Sequence, residues 1–270
     1  MSQTRNIPDL DRMSVVVATI LLAYGLSRFV VLPVRELSFQ LPGLYLSVQV
    51  NENTMIGFLV AALTATGSDW LLQDHPAQKS KKTYQHLILP GLTAWVIAVT
   101  LLQLPFGLQW VIGFIISSTL LILVIVAEYI AVDPDDLRHP IATAFLVAIS
   151  FTFYLVLAIA LRSAEVRLFL MLPAMTFAGA LVALRTLHLR LQGRWLFGLA
   201  LVLAVIIAQI TAALHYWPLK PITFGLVLLA PAYALTALAV NLAEGEPFRQ
   251  AIIEPSVVTL VIWGLAVWIQ

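Results

Sequence analysis

The sequence predicts an all-α polytopic membrane protein, and three observations support that prediction. Apolar residues make up 61% of the 270-residue chain and charged residues only 11%, and the mean hydropathy is +0.95. Soluble domains have about 45–50% apolar and about 25% charged residues. Nine apolar stretches follow one another along the chain, most of them near the ~20 residues that a membrane span needs. Lipid must therefore be the solvent for most side chains.

The apolar stretches predict a single transmembrane domain of about nine helices. We place the spans near residues 13–32, 54–73, 87–104, 106–132, 141–161, 167–187, 195–215, 221–243 and 251–269. The break between the third and fourth spans depends only on Gln103, Pro105 and Gly107, because proline and glycine favour turns but also occur inside membrane helices. If the third segment is re-entrant, the number of spans falls to eight.

One segment between the first two spans predicts β-structure. From about residue 37 to residue 50, apolar and polar residues alternate on both sides of Pro42-Gly43. A period of two around such a turn is typical of a β-hairpin. An isolated hairpin is marginal in water, so we expect this one to pack on the bundle or against the outer membrane surface. It either closes the bundle as an ordered loop or acts as a lid or docking edge.

The basic residues predict the orientation of the chain in the membrane. Ten of the 15 Lys and Arg residues lie in gaps on the N-terminal side, and five lie on the opposite side, namely Arg28, Arg35, Arg162, Arg167 and Lys220. Because basic residues are enriched in cytoplasmic loops, we expect a cytoplasmic N-terminus, an extracytoplasmic C-terminus and an extracytoplasmic hairpin. No small-residue cleavage motif follows the first apolar run, so we expect that run to stay as an anchor.

Polar residues near the inner ends of the spans form the candidate site. They are Asp69, Glu128, Arg185, His188, Asn241 and Glu254. If the helix ends converge, these residues would form a polar, mostly acidic cavity open to the cytoplasm, able to relay protons or hold a divalent cation. Charges near helix ends are also tolerated by snorkelling and local hydration. A purely structural or interfacial role therefore stays open.

The loop after the fourth span is rich in carboxylates. Asp133, Asp135 and Asp136 are weak candidates for metal ligands. The same pattern fits a helix start with Asp133 as N-cap and Pro134 at the first helical position, and we favour that interpretation. We predict no metal site, and the sequence assigns no cofactor. The chain has no Cys, which excludes disulfides and thiolate metal sites.

Three stretches carry a resemblance to a known family. They are Thr66-Gly-Ser-Asp-Trp-Leu-Leu-Gln-Asp-His-Pro76, His86-Leu-Ile-Leu-Pro-Gly-Leu-Thr-Ala94 and Glu128-Tyr-Ile-Ala-Val-Asp-Pro-Asp-Asp136. They resemble an uncharacterised family of bacterial multi-pass membrane proteins, and the resemblance covers most of the chain. It implies a bacterial inner membrane location but no activity, and it adds interest to Asp69, His75 and Glu128.

The sequence leaves three functions open. We favour an accessory or structural membrane subunit, which needs only lipid and possible protein partners, because polar residues inside the spans are sparse. The alternatives are a small-solute or ion transporter that uses the acidic cavity, and a membrane-embedded enzyme that acts on a lipid or polyprenyl substrate. Whether the chain is an enzyme stays open, with the balance against it. The net charge of +1 gives no indication of nucleic-acid binding.

Overall fold

The structure is a computed structural model that describes residues 9–27, 35–41, 44–50, 52–73, 86–191 and 193–269. In chain order the elements are α1 (Leu10–Ser27), β1 (Arg35–Leu41), β2 (Leu44–Val50), α2 (Glu52–Gln73), α3 (Ile88–Gln103), α4 (Leu108–Ala131), α5 (His139–Ser163), α6 (Leu168–Arg190), α7 (Phe197–His215), α8 (Pro221–Ala243), α9 (Phe248–Ala251) and α10 (Ile253–Ile269). Each predicted span overlaps one long helix of this series.

The helices make the chain a multi-pass membrane protein. Within the described residues, seven helical segments are long and apolar enough to cross a membrane, namely Met55–Gln73, α4, α5, α6, α7, α8 and Phe248–Ile269. The other two long helices are not among these seven segments, and they are α1 with 18 residues and α3 with 16. Many large apolar side chains point outward, such as Leu108, Ile116 and Leu260. Outward apolar surface on this scale requires lipid contact.

A short break separates α3 from α4. α3 ends at Gln103 and α4 begins at Leu108, so the apolar stretch from 87 to 132 is not one helix. Gly107 has a φ of +153°, a conformation that side chains with a Cβ rarely adopt. The residues on which the predicted break depended therefore lie at the connection itself. Whether α3 crosses the membrane completely stays a prediction.

The segment from Arg35 to Val50 contains two antiparallel strands. β1 pairs with β2, with Leu37 opposite Val48 and Phe39 opposite Leu46. Pro42 and Gly43 lie outside the described residues. The side of the membrane on which these strands lie stays a prediction.

The chain divides into two compact units, Met1–Ala142 and Thr143–Gln270, and the single transmembrane domain stays a prediction. In the first unit, α1 packs on α2, α2 on α3, and α3 on α4. Glycine permits the close approach of α2 to α3, since a Cβ at Gly57 would lie 2.6 Å from Cδ1 of Trp95. The Tyr24 hydroxyl donates a hydrogen bond of 2.6 Å to the Ala94 carbonyl. Small residues such as Gly57 at helix interfaces are typical of membrane bundles.

In the second unit, α6 packs on α7, α7 on α8, and α8 on α10. Its core contains Phe151, Tyr154, Ala158, Met171, Met175, Ile207, Phe224, Leu228 and Ala232. Pro173 and Pro231 lie inside α6 and α8. The segment Phe248–Ile269 buries the smallest share of residues among the candidate spans, 11%. α10 is therefore the helix most open to lipid or to a partner.

Candidate functional site

The first unit contains a buried pair of ionisable side chains. His86 Nδ1 lies 2.9 Å from Glu128 Oε2, and the two side chains are 7% and 2% exposed. Glu128 lies in the last turn of α4, where every residue from Ala127 to Ala131 is buried. His86 lies two residues before α3 begins. Because α3 and α4 pack together, the start of one helix meets the end of the other and joins these side chains.

Two helix ends act on this pair. Glu128 lies in the last turn of α4, where the partial negative charge of the helix disfavours a carboxylate, and His86 lies just before α3, where the partial positive charge favours one. An imidazole and a carboxylate at hydrogen-bond distance can share and exchange one proton. The pair is a buried contact between two ionisable side chains in an otherwise apolar part of the first unit.

The carboxylates of the loop after α4 are bonded within the loop. Asp133 Oδ1 accepts a hydrogen bond of 3.0 Å from the Asp135 backbone N–H. Asp136 accepts hydrogen bonds of 3.1 Å and 2.8 Å from the Arg138 guanidinium. The hydrogen bond to Asp136 raises the pKa of Arg138. Within the described ranges, no group of three His, Asp or Glu side chains is arranged to hold a metal ion.

The predicted helix start at Asp133 is wrong. α5 begins at His139, and residues 132–138 form turns in which the Asp136 N–H bonds the Asp133 carbonyl at 3.2 Å. The Arg138 backbone N–H bonds Asp136 Oδ1 at 2.8 Å. The ion pair between Asp136 and Arg138 holds the chain in a turn here, and the local N-cap pattern is overridden.

Asp69 makes a local contact on α2. Gln73 Nε2, one helical turn later, donates a hydrogen bond of 2.8 Å to Asp69 Oδ2. The neighbouring Trp70 ring lies 5.1 Å from the Arg12 guanidinium carbon. Cation–π contacts of this kind stabilise membrane-interface residues. This end of α2 therefore has the composition of an interface.

Four of the six predicted site residues lie in the second unit, at the ends of α6, α8 and α10. Arg185 and His188 are buried near the end of α6, and the His188 ring stacks on Trp195 with 4.3 Å between ring centroids. Asn241 Nδ2 donates a hydrogen bond of 3.1 Å to the Ala251 carbonyl. Asn241 therefore holds the connection from α8 to α10, which is a structural role.

Glu254 has a partner that the sequence did not indicate. The Tyr233 hydroxyl on α8 donates a hydrogen bond of 2.7 Å to Glu254 Oε1 on α10. Both line a small cavity of about 40 Å³ together with Thr186 and Arg190. Arg190 also lines a second cavity of about 340 Å³ with Leu191, Arg194 and Glu244. These two cavities combine arginines with glutamates, whereas the sequence predicted a mostly acidic cavity.

The structure brings together parts of the predicted site. The four residues of the second unit lie on helix ends that pack together, while Asp69 and Glu128 belong to the first unit. The convergence of all six residues at one cavity stays a prediction. Sequence reasoning missed His86 and Tyr233 as the partners of Glu128 and Glu254. His86 opens one of the family-like stretches, which was the only indication available for it.

Comparison with known proteins gives a family without an activity. The family described as protein of unknown function (DUF5656) matches residues 32–269. No curated protein and no solved structure is significantly similar to the chain.

Proposed function

The chain belongs to the DUF5656 family, and we propose from the geometry of the His86–Glu128 pair that it is a small-solute transporter that binds and releases protons there. It is an integral membrane protein of unassigned activity in a family of unknown function. The observation that supports the proposal is the 2.9 Å contact between two ionisable side chains that are 7% and 2% exposed.

The energetic cost of the pair favours a functional role. Replacing a buried ion pair by packed apolar residues is often neutral, or stabilising by about 1–4 kcal/mol. A bundle that served only as a scaffold would gain nothing from this pair that leucine and methionine would not supply. Ionisable residues within membrane-spanning segments commonly mark substrate, proton or ion pathways. The pair lies at the ends of α3 and α4 that we assign to the cytoplasmic side, where opening of the bundle would expose it to protons.

Proton binding can be measured without knowing the solute. Proteoliposomes adsorbed on a solid-supported membrane should give a transient charge displacement when the pH is lowered stepwise. Glu128→Gln should reduce this current to the level of protein-free liposomes. The double variant His86→Leu/Glu128→Met should be equally silent while it stays folded.

Asp69→Asn is the matched control for this experiment, because it removes a carboxylate of the same unit that accepts a hydrogen bond from Gln73 on its own helix. It should leave the current unchanged. A wild-type current equal to that of empty liposomes, or an undiminished current in Glu128→Gln, would contradict the proposal.

We also propose that the chain lies in a bacterial cell membrane with its N-terminus in the cytoplasm and its C-terminus outside. The distribution of Lys and Arg supports this orientation. The chain has no Cys, so one introduced cysteine gives an unambiguous label. Ala164→Cys should react with a membrane-impermeant maleimide in intact cells, whereas Glu246→Cys should react only after permeabilisation. Both positions are exposed. Labelling of Glu246→Cys but not of Ala164→Cys in intact cells would show that the orientation is the opposite one.

An accessory role in a membrane complex is the second candidate, and the exposure of α10 favours it. Val257, Leu260 and Val261 are exposed along this helix. A protein extracted from native membrane with the mass of a single chain, and with the proton current described above, would argue against this role. The lipid-enzyme hypothesis and its substrate stay predictions.

A further inference from the structure

A cavity lies at the end of the second unit opposite to the predicted site. It has a volume of about 470 Å³ and lies between the α5–α6 and α7–α8 connections. Its charged or titratable lining residues are Arg162, Glu165, Arg167 and His215. The orientation proposed above places this cavity on the extracytoplasmic side. It does not involve the His86–Glu128 pair, and its function is independent of the proposed transport.

One wall of this cavity is fixed by Arg162. Its Nη1 and Nη2 groups donate hydrogen bonds of 2.9 Å to the carbonyls of His215 and Trp217, and Nε donates one of 3.4 Å to Leu219. The guanidinium carbon also lies 5.3 Å from the Phe224 ring centroid. These contacts hold the α7–α8 connection in one conformation, so the cavity is formed before any ligand arrives.

The charges around the cavity favour an anion. Two guanidinium groups and one carboxylate line it, which leaves a net positive charge. α6 and α8 also begin at this cavity, after Arg167 and Lys220, and helix starts add partial positive charge. Arginine is suited to phosphate because its planar donors match two phosphate oxygens at once.

The surroundings of the cavity point to a lipid. Tyr216 and Trp217 are 79% and 61% exposed next to it, and aromatic residues in such positions lie at the level of lipid headgroups. We propose that this cavity binds the phosphate group of an anionic lipid headgroup in the outer leaflet. Arg167 contacts the phosphate, and Arg162 positions the wall against which the headgroup lies.

The test compares lipids on the purified full-length protein in detergent. Phosphatidylglycerol, phosphatidylcholine and inorganic phosphate are titrated separately, and binding is followed by native mass spectrometry and by the shift in Tm. Phosphatidylglycerol should bind about tenfold more tightly than phosphatidylcholine. Arg167→Gln should remove most of that difference. Arg249→Gln, which changes an exposed arginine at the other end of the same unit, should preserve it.

Each other outcome overturns part of the proposal. Saturable binding of inorganic phosphate that Arg167→Gln abolishes, without a preference for phosphatidylglycerol, would identify a free anion and reject the lipid. Equal binding of both lipids in the wild type, or equal loss in the Arg167 and Arg249 variants, would reject the site. Because Arg167 is exposed, its variant should melt at the wild-type temperature, which makes a loss of binding interpretable.

Discussion

Replacing His86 by leucine is expected to lower the free energy of unfolding by about 3–5 kcal/mol. The substitution removes the imidazole whose Nδ1 lies 2.9 Å from Glu128 Oε2. It leaves a carboxyl group that is 2% exposed in an apolar environment. Removal of one partner of a buried pair is far more damaging than removal of both, because the remaining group keeps its desolvation penalty without compensation.

The double variant His86→Leu/Glu128→Met supplies the control for this prediction. It removes both charged groups and fills the space with apolar atoms, so its stability should equal or exceed that of the wild type. The free energy of unfolding of the wild type, the His86→Leu variant and the double variant is measured in mixed micelles with increasing SDS. A single variant as stable as the double variant would show that the pair is not energetically coupled.

Replacing Arg162 by alanine should destabilise the protein by about 2–4 kcal/mol. Hydrogen bonds from a charged donor contribute about 1.5–3 kcal/mol each, and Arg162 donates three to backbone carbonyls of the α7–α8 connection. The expected loss is smaller than the sum of three such hydrogen bonds because the Arg162 side chain is partly accessible to water. Arg162→Lys should recover only part of the loss, since an ammonium group cannot reproduce the fork of the guanidinium.

Arg167→Ala is the matched control for Arg162→Ala. Arg167 lines the same cavity but is exposed, and surface substitutions of this kind usually change stability by less than about 0.5 kcal/mol. The stability of both variants is measured by thermal unfolding followed by tryptophan fluorescence. Equal losses in the two variants would show that the charge of the cavity, and not the hydrogen bonds of Arg162, stabilises this end of the unit.

The long helices were predictable because a membrane imposes them. A span must satisfy the hydrogen bonds of every backbone group internally and present about 20 apolar residues. Such a span can therefore be recognised from the sequence without knowing how the helices pack. The predicted span at 221–243 coincides with α8, Pro221–Ala243. The predicted span at 141–161 was shorter than α5, His139–Ser163, because helices continue past the apolar region into the interface.

The side-chain pairs were not predictable in the same way. Glu128 is separated from His86 by 42 residues, and Tyr233 is separated from Glu254 by 21. Each contact depends on how two helices rotate against each other, and hydrophobicity alone does not fix that rotation in a helix with apolar residues on all sides. The prediction of a helix start at Asp133 was wrong for a related reason, because the ion pair between Asp136 and Arg138 competes with the local N-cap pattern.

The length of the last apolar segment has a consequence for the bilayer itself. At 1.5 Å per residue, the 22 residues of Phe248–Ile269 span at least about 33 Å, which slightly exceeds the ~30 Å of a typical hydrocarbon layer. Because most of this segment is exposed, lipid and not protein must accommodate the hydrophobic mismatch. We expect the segment to tilt and the bilayer beside it to keep its thickness. Each Å of mismatch should cost only a fraction of a kcal/mol.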